Sequence, residues 1–117
     1  MKKGLVFPAG RGLPYCSTVA DEIDLSNIAK ELGCDWCEII RPRRLPRGYV
    51  MVGDEESKLK PNFENFVGSW FYETDKHGEP IVGPVMILKE VFGPEGPELD
   101  GLVDEDIDII FDSIGKE

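Results

Sequence analysis

The chain has 117 residues, 41% of them hydrophobic and 31% charged, which is the size and balance of one ordinary globular domain and too apolar for a disordered segment. Thirteen Lys and Arg against 23 Asp and Glu give a net charge of -10, so the surface as a whole repels nucleic acid and anionic membranes, and any contact with a polyanion has to be local. Apolar runs such as Val85-Met86-Ile87-Leu88 fall far short of the roughly 18 residues of a membrane span, which excludes a membrane-crossing helix.

Lys2 and Lys3 make a basic start, but only Leu5, Val6 and Phe7 precede Pro8, where a signal peptide needs an apolar stretch of roughly 7 to 15 residues. The expected location is the cytoplasm. Three cysteines, an odd number in a chain able to bury a core, fit a reducing compartment better than a disulfide framework.

Residues 4–7 and 15–23 read as two strands around a Gly-rich turn. Leu25, Ile28, Ala29 and Leu32 then fall on one helical face, with Asp24 as N-cap and Gly33 as the stop. Residues 36–40 and 49–52 are strands flanking the basic loop Arg41-Pro42-Arg43-Arg44-Leu45-Pro46-Arg47-Gly48, whose prolines forbid a continuous ladder. Residues 54–58 form a polar hairpin-like turn. Phe63, Phe66, Val67, Trp70 and Phe71 predict an aromatic helix with Asn62 as its cap. After a turn over residues 75–80, residues 81–92 read as a strand broken at Gly83-Pro84, and residues 93–97 as a loop. Val103, Ile107, Ile110, Phe111 and Ile114 predict a last helix with Asp104, Glu105 and Asp106 in its favourable first turn. The expectation is a single α+β domain over residues 1–117, in the order ββαββαβα. It has a mainly antiparallel or mixed sheet of about five strands, with three helices gathered on one face.

Asp54-Glu55-Glu56-Ser57-Lys58-Leu59-Lys60-Pro61-Asn62, the later Ile81-Val82-Gly83-Pro84, and Gly101-Leu102 before an acidic amphipathic helix follow one another in a telling order. Over about the last two thirds of the chain this order resembles the domain-of-unknown-function family 3846, small proteins of bacterial, phage and mobile-element genomes. Ser57 stands where the family's turn carries a glycine. The resemblance implies a compact α+β domain of phage or mobile-element setting and brings no catalytic residue.

Four side-chain groups are candidates for function. Cys34-Asp35-Trp36-Cys37 has the spacing of half a zinc site, which Cys16 and His77 would have to complete, but no second close pair accompanies it. A redox role is the weaker reading, because the pair follows a helix C-terminus, whereas reactive dithiols sit at N-termini that lower a thiol pKa. Inert cysteines buried at a strand border are preferred, and neither a metal nor another cofactor is expected. The lone His77 lies in a polar Lys-His-Gly turn without a nucleophile beside it, so a pocket near it is needed for the alternative of a diverged small enzyme. Glu105, Asp108 and Asp112 share a face of the last helix; a DNA-mimicking face competes there with a merely solubilising one, which is preferred.

The basic loop is the remaining candidate. Arg41, Arg43, Arg44 and Arg47 place four positive charges in seven residues, while residues 95–117 hold nine acids against Lys116 alone. Prolines stiffen the loop and lower the ordering cost of gripping a phosphate or carboxylate. Two readings stand side by side: a contact site, aided by apolar anchors such as Leu45 or Tyr49, or arginines that pair with the protein's own acids and protect sheet edges. The expected function is a small non-enzymatic binding or accessory protein with a protein partner, nucleic acid being reachable only through this loop.

Overall fold

The computed structural model describes residues 2–10, 12–19, 21–59 and 63–114, apart from the side chains of Lys58 and His77. In chain order it contains β1 (Lys2–Phe7), β2 (Tyr15–Val19), α1 (Leu25–Leu32), β3 (Cys37–Ile40), β4 (Tyr49–Asp54), a 3₁₀ turn (Ser57–Leu59), α2 (Phe66–Tyr72), α3 (Thr74–His77), β5 (Val85–Gly93), β6 (Gly96–Asp100) and α4 (Asp104–Ser113). The fold is α+β, and every strand pair is antiparallel. Among the described residues, no helix is long and apolar enough to cross a membrane.

The strands run β2-β1-β5-β4-β3, with β6 also paired to β5. Nine-residue β5 is the spine: Val85–Ile87 pairs with β1, residues 85–89 pair with β4, and residues 89–93 pair with β6. Successive side chains of a strand point to opposite faces. Leu5, Phe7, Met51, Val85 and Ile87 accordingly meet Phe71 of α2 and Ile110 of α4 on one face. Val6, Val52, Met86 and Leu88 meet Ile28 of α1 on the other.

The helices therefore cover both faces, and the expectation that they gather on one is corrected. The physical reason lies in β1, β4 and β5, whose apolar residues are consecutive rather than alternating: a strand buried on both faces needs this, and it needs a helix on each. The six-stranded sheet fits about five expected strands, but the described residues form four α-helices rather than three, and their order is ββαββααββα instead of ββαββαβα. The fifth expected loop residue, Pro97, belongs instead to β6, whose sequence Gly-Pro-Glu-Leu-Asp has little strand propensity and survives because it pairs on one side across a two-residue Pro94-Glu95 connection. The fourth helix is the single turn α3 inside the expected turn region.

Local signals did operate where the chain answers only to itself. Asp24 caps α1 by accepting the Asn27 N–H at 2.8 Å, and Gly33 ends it in the left-handed region at φ 72°. At the second helix the expected start fails. Asn62 lies outside the described residues; the observed cap is Asn65, and Phe63, 79% exposed, precedes the helix altogether. Residues 63–65 are held extended by Gly83 N–H to Phe63 C=O, Gly10 N–H to Glu64 C=O and Asn65 N–H to Ile81 C=O, at 2.8 to 2.9 Å. Long-range backbone pairing outcompetes one more helical turn.

Candidate binding cleft

Residues 41–48 form two linked turns, closed by Leu45 N–H to Pro42 C=O and Tyr49 N–H to Pro46 C=O. Glu90 of β5 fastens both ends of the loop: its carboxylate accepts from Arg41 Nη2 at 2.5 Å and Nε at 3.2 Å, and its N–H donates to Gly48 C=O at 2.9 Å. A bidentate guanidinium is well matched to a carboxylate, and the Arg41 hydrogen bond holds the Glu90 carboxyl below the usual range. Leu45 is buried in the core with Phe71 and Ile110, and the Tyr49 hydroxyl donates to Asp106 at 2.6 Å. Neither is available as the apolar anchor of a partner site.

The other arginines divide sharply. Arg44 is 16% exposed, donates to Trp70 C=O at 2.8 Å, lies 5.0 Å over the Trp70 ring and reaches Glu73 at 3.6 Å and Asp75 at 3.9 Å. It satisfies a carbonyl at the end of α2 and adds a cation–π contact, so its role is structural. Arg43 is 81% exposed, with one long contact of 3.4 Å to Glu73. Arg47 is exposed and has no ion pair among the described residues. Of the four expected contacts, Arg41, Arg43 and Arg44 thus pair with the protein's own acids, Arg43 loosely and with its side chain mostly in solvent, and Arg47 faces solvent without an ion pair among the described residues.

Glu73 is the residue that sequence reasoning missed. It links α2 to α3 in the left-handed conformation, φ 58° and ψ 50°, the one described non-glycine residue with positive φ. Such a conformation costs about 1 kcal/mol or more in a side-chain-bearing residue and persists where its surroundings fix it. Here Lys76 at 3.2 Å, Arg43 at 3.4 Å and Arg44 at 3.6 Å surround the 8%-exposed carboxylate. The Lys76 hydrogen bond leads in holding the Glu73 carboxyl below the usual carboxylate range, with Arg43 adding to it against burial. No local pattern announces this: Glu in Tyr-Glu-Thr looks like any helix residue.

These groups surround a cleft of about 560 Å³. It is lined on one side by β3, the end strand of the sheet, with Glu38, Ile39 and Ile40, and otherwise by Tyr72, Glu73 and residues 79–82, with Arg41 and Arg43 from the loop. Its floor is apolar at Val85 and Gly53, and Asp54, 8% exposed, accepts the Glu56 N–H there at 2.9 Å. The far wall is fixed by buried Asn65, whose side chain accepts from Gly68 N–H and donates to Phe7 and Gly83 carbonyls, all at 2.8 to 2.9 Å. Ser69 adds a bond from Ile81 N–H to its hydroxyl at 3.0 Å.

The remaining candidates do not converge on the cleft. Among the described residues no three His, Cys, Asp or Glu side chains are placed to hold a metal ion. Cys16 is exposed on β2, while Cys34 and Cys37 adjoin each other at the border of β3, half-buried rather than buried as expected. The His77 side chain, the fourth member of that expected set, lies outside the described part. Glu105, Asp108 and Asp112 do sit exposed on α4, but Asp106 turns inward to accept from Tyr49 and to pair with Lys89 at 2.9 Å. Comparison of the chain with protein-family models, with curated proteins and with solved structures finds no match.

Proposed function

We propose that this protein is a small non-enzymatic binding module that takes an extended, carboxylate-bearing segment of a partner protein along β3, with Arg43 and Arg47 as its charged contacts. The observation that carries the reading is the cleft itself: it opens beside an end strand, its lining mixes apolar residues such as Ile39 and Val85 with Glu38, Asp54, Glu73 and Glu79, and it reaches Arg41 and Arg43 of the arginine loop, with Arg47 on the same loop outside the lining. A strand edge supplies main-chain donors and acceptors, and alternate side-chain pockets beside it supply selectivity. Arg41 and Arg44 are struts that hold the loop in shape before a partner arrives, which lowers the ordering cost of binding. Glu73, kept ionised by its cations, suits a strut's counter-charge better than a proton donor at neutral pH. The net charge of -10 favours a protein over a nucleic-acid partner. An origin in a phage or mobile element, and membership of family 3846, belong to the same proposal.

The test is affinity co-purification from the source organism, with and without nuclease, using wild type and an Arg43→Ala, Arg47→Ala protein. A captured protein is then purified and titrated against both forms. Loss of that binary complex in the double variant, insensitive to nuclease, supports the proposal. Capture that nuclease abolishes points to nucleic acid, and equal binding by both forms removes the arginines from the site.

A further inference from the structure

The expected function leaves the Cys-Asp-Trp-Cys segment unused, and its geometry sets it apart from an ordinary pair of core cysteines. Gly33, in the left-handed region, turns the chain out of α1, and Cys34 N–H returns to Ala29 C=O at 2.9 Å, which fixes the Cys34 backbone. Three residues on, Cys37 opens β3 opposite Asp54, and Trp36 C=O accepts from Glu55 N–H at 2.9 Å, which fixes the other end. Between these anchors the two sulfurs stand 3.5 Å apart, hydrogen-bonded and half-buried, with Trp36, 65% exposed, at the tip of the turn.

We infer that Cys34 and Cys37 are a dithiol redox site that closes reversibly to an intramolecular disulfide on reaction with a small-molecule disulfide of the glutathione type. Closure brings the sulfurs from 3.5 Å to the length of an S–S bond, about 2.05 Å, within a turn whose two ends are already held. The Cys34 thiolate attacks one sulfur of oxidised glutathione; that S–S bond breaks, and one glutathione leaves as thiolate and takes up a proton. Cys37 then gives its proton to solvent and attacks the Cys34 sulfur of the mixed disulfide, expelling the second glutathione. Two protein thiols are oxidised and one glutathione disulfide is reduced to two thiols. The order of attack follows from environment: burial first, then the adjacent Cys34 sulfur and Asp54, push the Cys37 thiol up to about 12, so Cys37 is the resolving partner.

The absence of a helix N-terminus, which counted against redox chemistry in the sequence, sets the character of the site instead. With no helix N-terminus beside the pair, attack is slow and the disulfide, once formed, resists reduction better than that of a strong oxidant. This inference stands independently of the partner-binding proposal.

The probe is glutathione itself. Folded Cys16→Ser protein, which lacks the exposed third thiol, is equilibrated in mixtures of reduced and oxidised glutathione, quenched in acid, and read by intact mass and peptide mapping. The expected result is loss of both remaining thiols together, a mass lower by two hydrogen atoms, a cross-linked Cys34–Cys37 peptide, and full reversal by dithiothreitol. In the Cys16→Ser, Cys37→Ser protein the reaction should stop at the Cys34–glutathione adduct. Stable adducts on singly modified Cys34 or Cys37 in the first protein, or thiols that react only after denaturation, would overturn the inference.

Discussion

Replacing Asn65 with Ala tests how the cleft wall is held. The side chain is 1% exposed and makes three hydrogen bonds at once: Gly68 N–H to Oδ1, and Nδ2 to the carbonyls of Phe7 and Gly83. Removing the cap at α2 costs about 1 kcal/mol. Each of the two stranded carbonyls adds about 1 to 2 kcal/mol when no water replaces the amide. The sum, about 3 to 5 kcal/mol, is a large fraction of the stability of a domain this size. With a urea slope of about 2 kcal/mol/M, the unfolding midpoint should fall by about 2 M, read by tryptophan fluorescence. Asn65→Asp is the sharper variant. It keeps the cap acceptor but turns a carboxylate oxygen toward two carbonyls, so its folded pKa is raised above the unfolded value of about 3.9. A raised folded pKa means stability that is full below the unfolded pKa and lost as pH rises through the folded one, so the deficit relative to wild type should grow from pH 4 to pH 7. A midpoint shift under about 0.5 M for Asn65→Ala, or a pH-independent deficit for Asn65→Asp, would refute the reasoning.

Other predictions concern the arginines and the buried ion network. Arg44→Ala should cost about 2 to 3 kcal/mol, because the Trp70 carbonyl and the Glu73 carboxylate lose a half-buried partner, whereas Arg43→Ala should cost under about 0.5 kcal/mol; paired urea melts distinguish them. Tyr49→Phe should cost about 1 to 2 kcal/mol by removing the hydrogen bond to Asp106. In the intact protein, absorbance titration should show the Tyr49 phenol ionising late, since burial and then the Asp106 bond push it up to about 12. The carboxyls of Glu73, Glu90, Asp100 and Asp104 are held low chiefly by hydrogen bonds from Lys76, Arg41, Lys2 and Lys3 respectively. At Asp106, burial pulls upward but Tyr49, the Val103 N–H and Lys89 outweigh it. Depressed folded pKa values give stability that is present above the unfolded values near 4 and lost as pH falls through the folded ones. Solvent screens the exposed Asp100 and Asp104 pairs, so Glu73, Glu90 and Asp106 carry most of the effect; urea melts should therefore show stability falling below about pH 4, with little change from pH 5 to 7.

The parts of the fold written into short stretches of sequence were legible. α1 has its stripe, its Asp24 cap and its Gly33 stop within ten residues, and nothing distant competes with them. α2 shows the opposite case: Phe63 belongs to the helical period, yet bonds to Gly83 and the neighbouring pairings with Gly10 and Ile81 pull residues 63–65 straight. Two-sided burial is written in the unbroken apolar runs of β1, β4 and β5, but the expectation of helices on one face overlooked it, and the helices cover both faces. The candidate site was half visible. Four arginines mark the loop, but only their partners, Glu90 49 residues beyond Arg41 and Glu73 at a strained junction, decide which are held in place and which stay largely in solvent. The Cys34–Cys37 contact had its spacing in the sequence; that both ends of the turn are fixed did not.

The most direct test of the central claim is a titration of the purified partner against wild type and the Arg43→Ala, Arg47→Ala protein, after circular dichroism and urea melts have shown both to be equally folded. The account predicts that affinity falls at least about tenfold, as the loss of exposed charge-assisted contacts implies. Affinity unchanged by that substitution, with the fold intact, would contradict it.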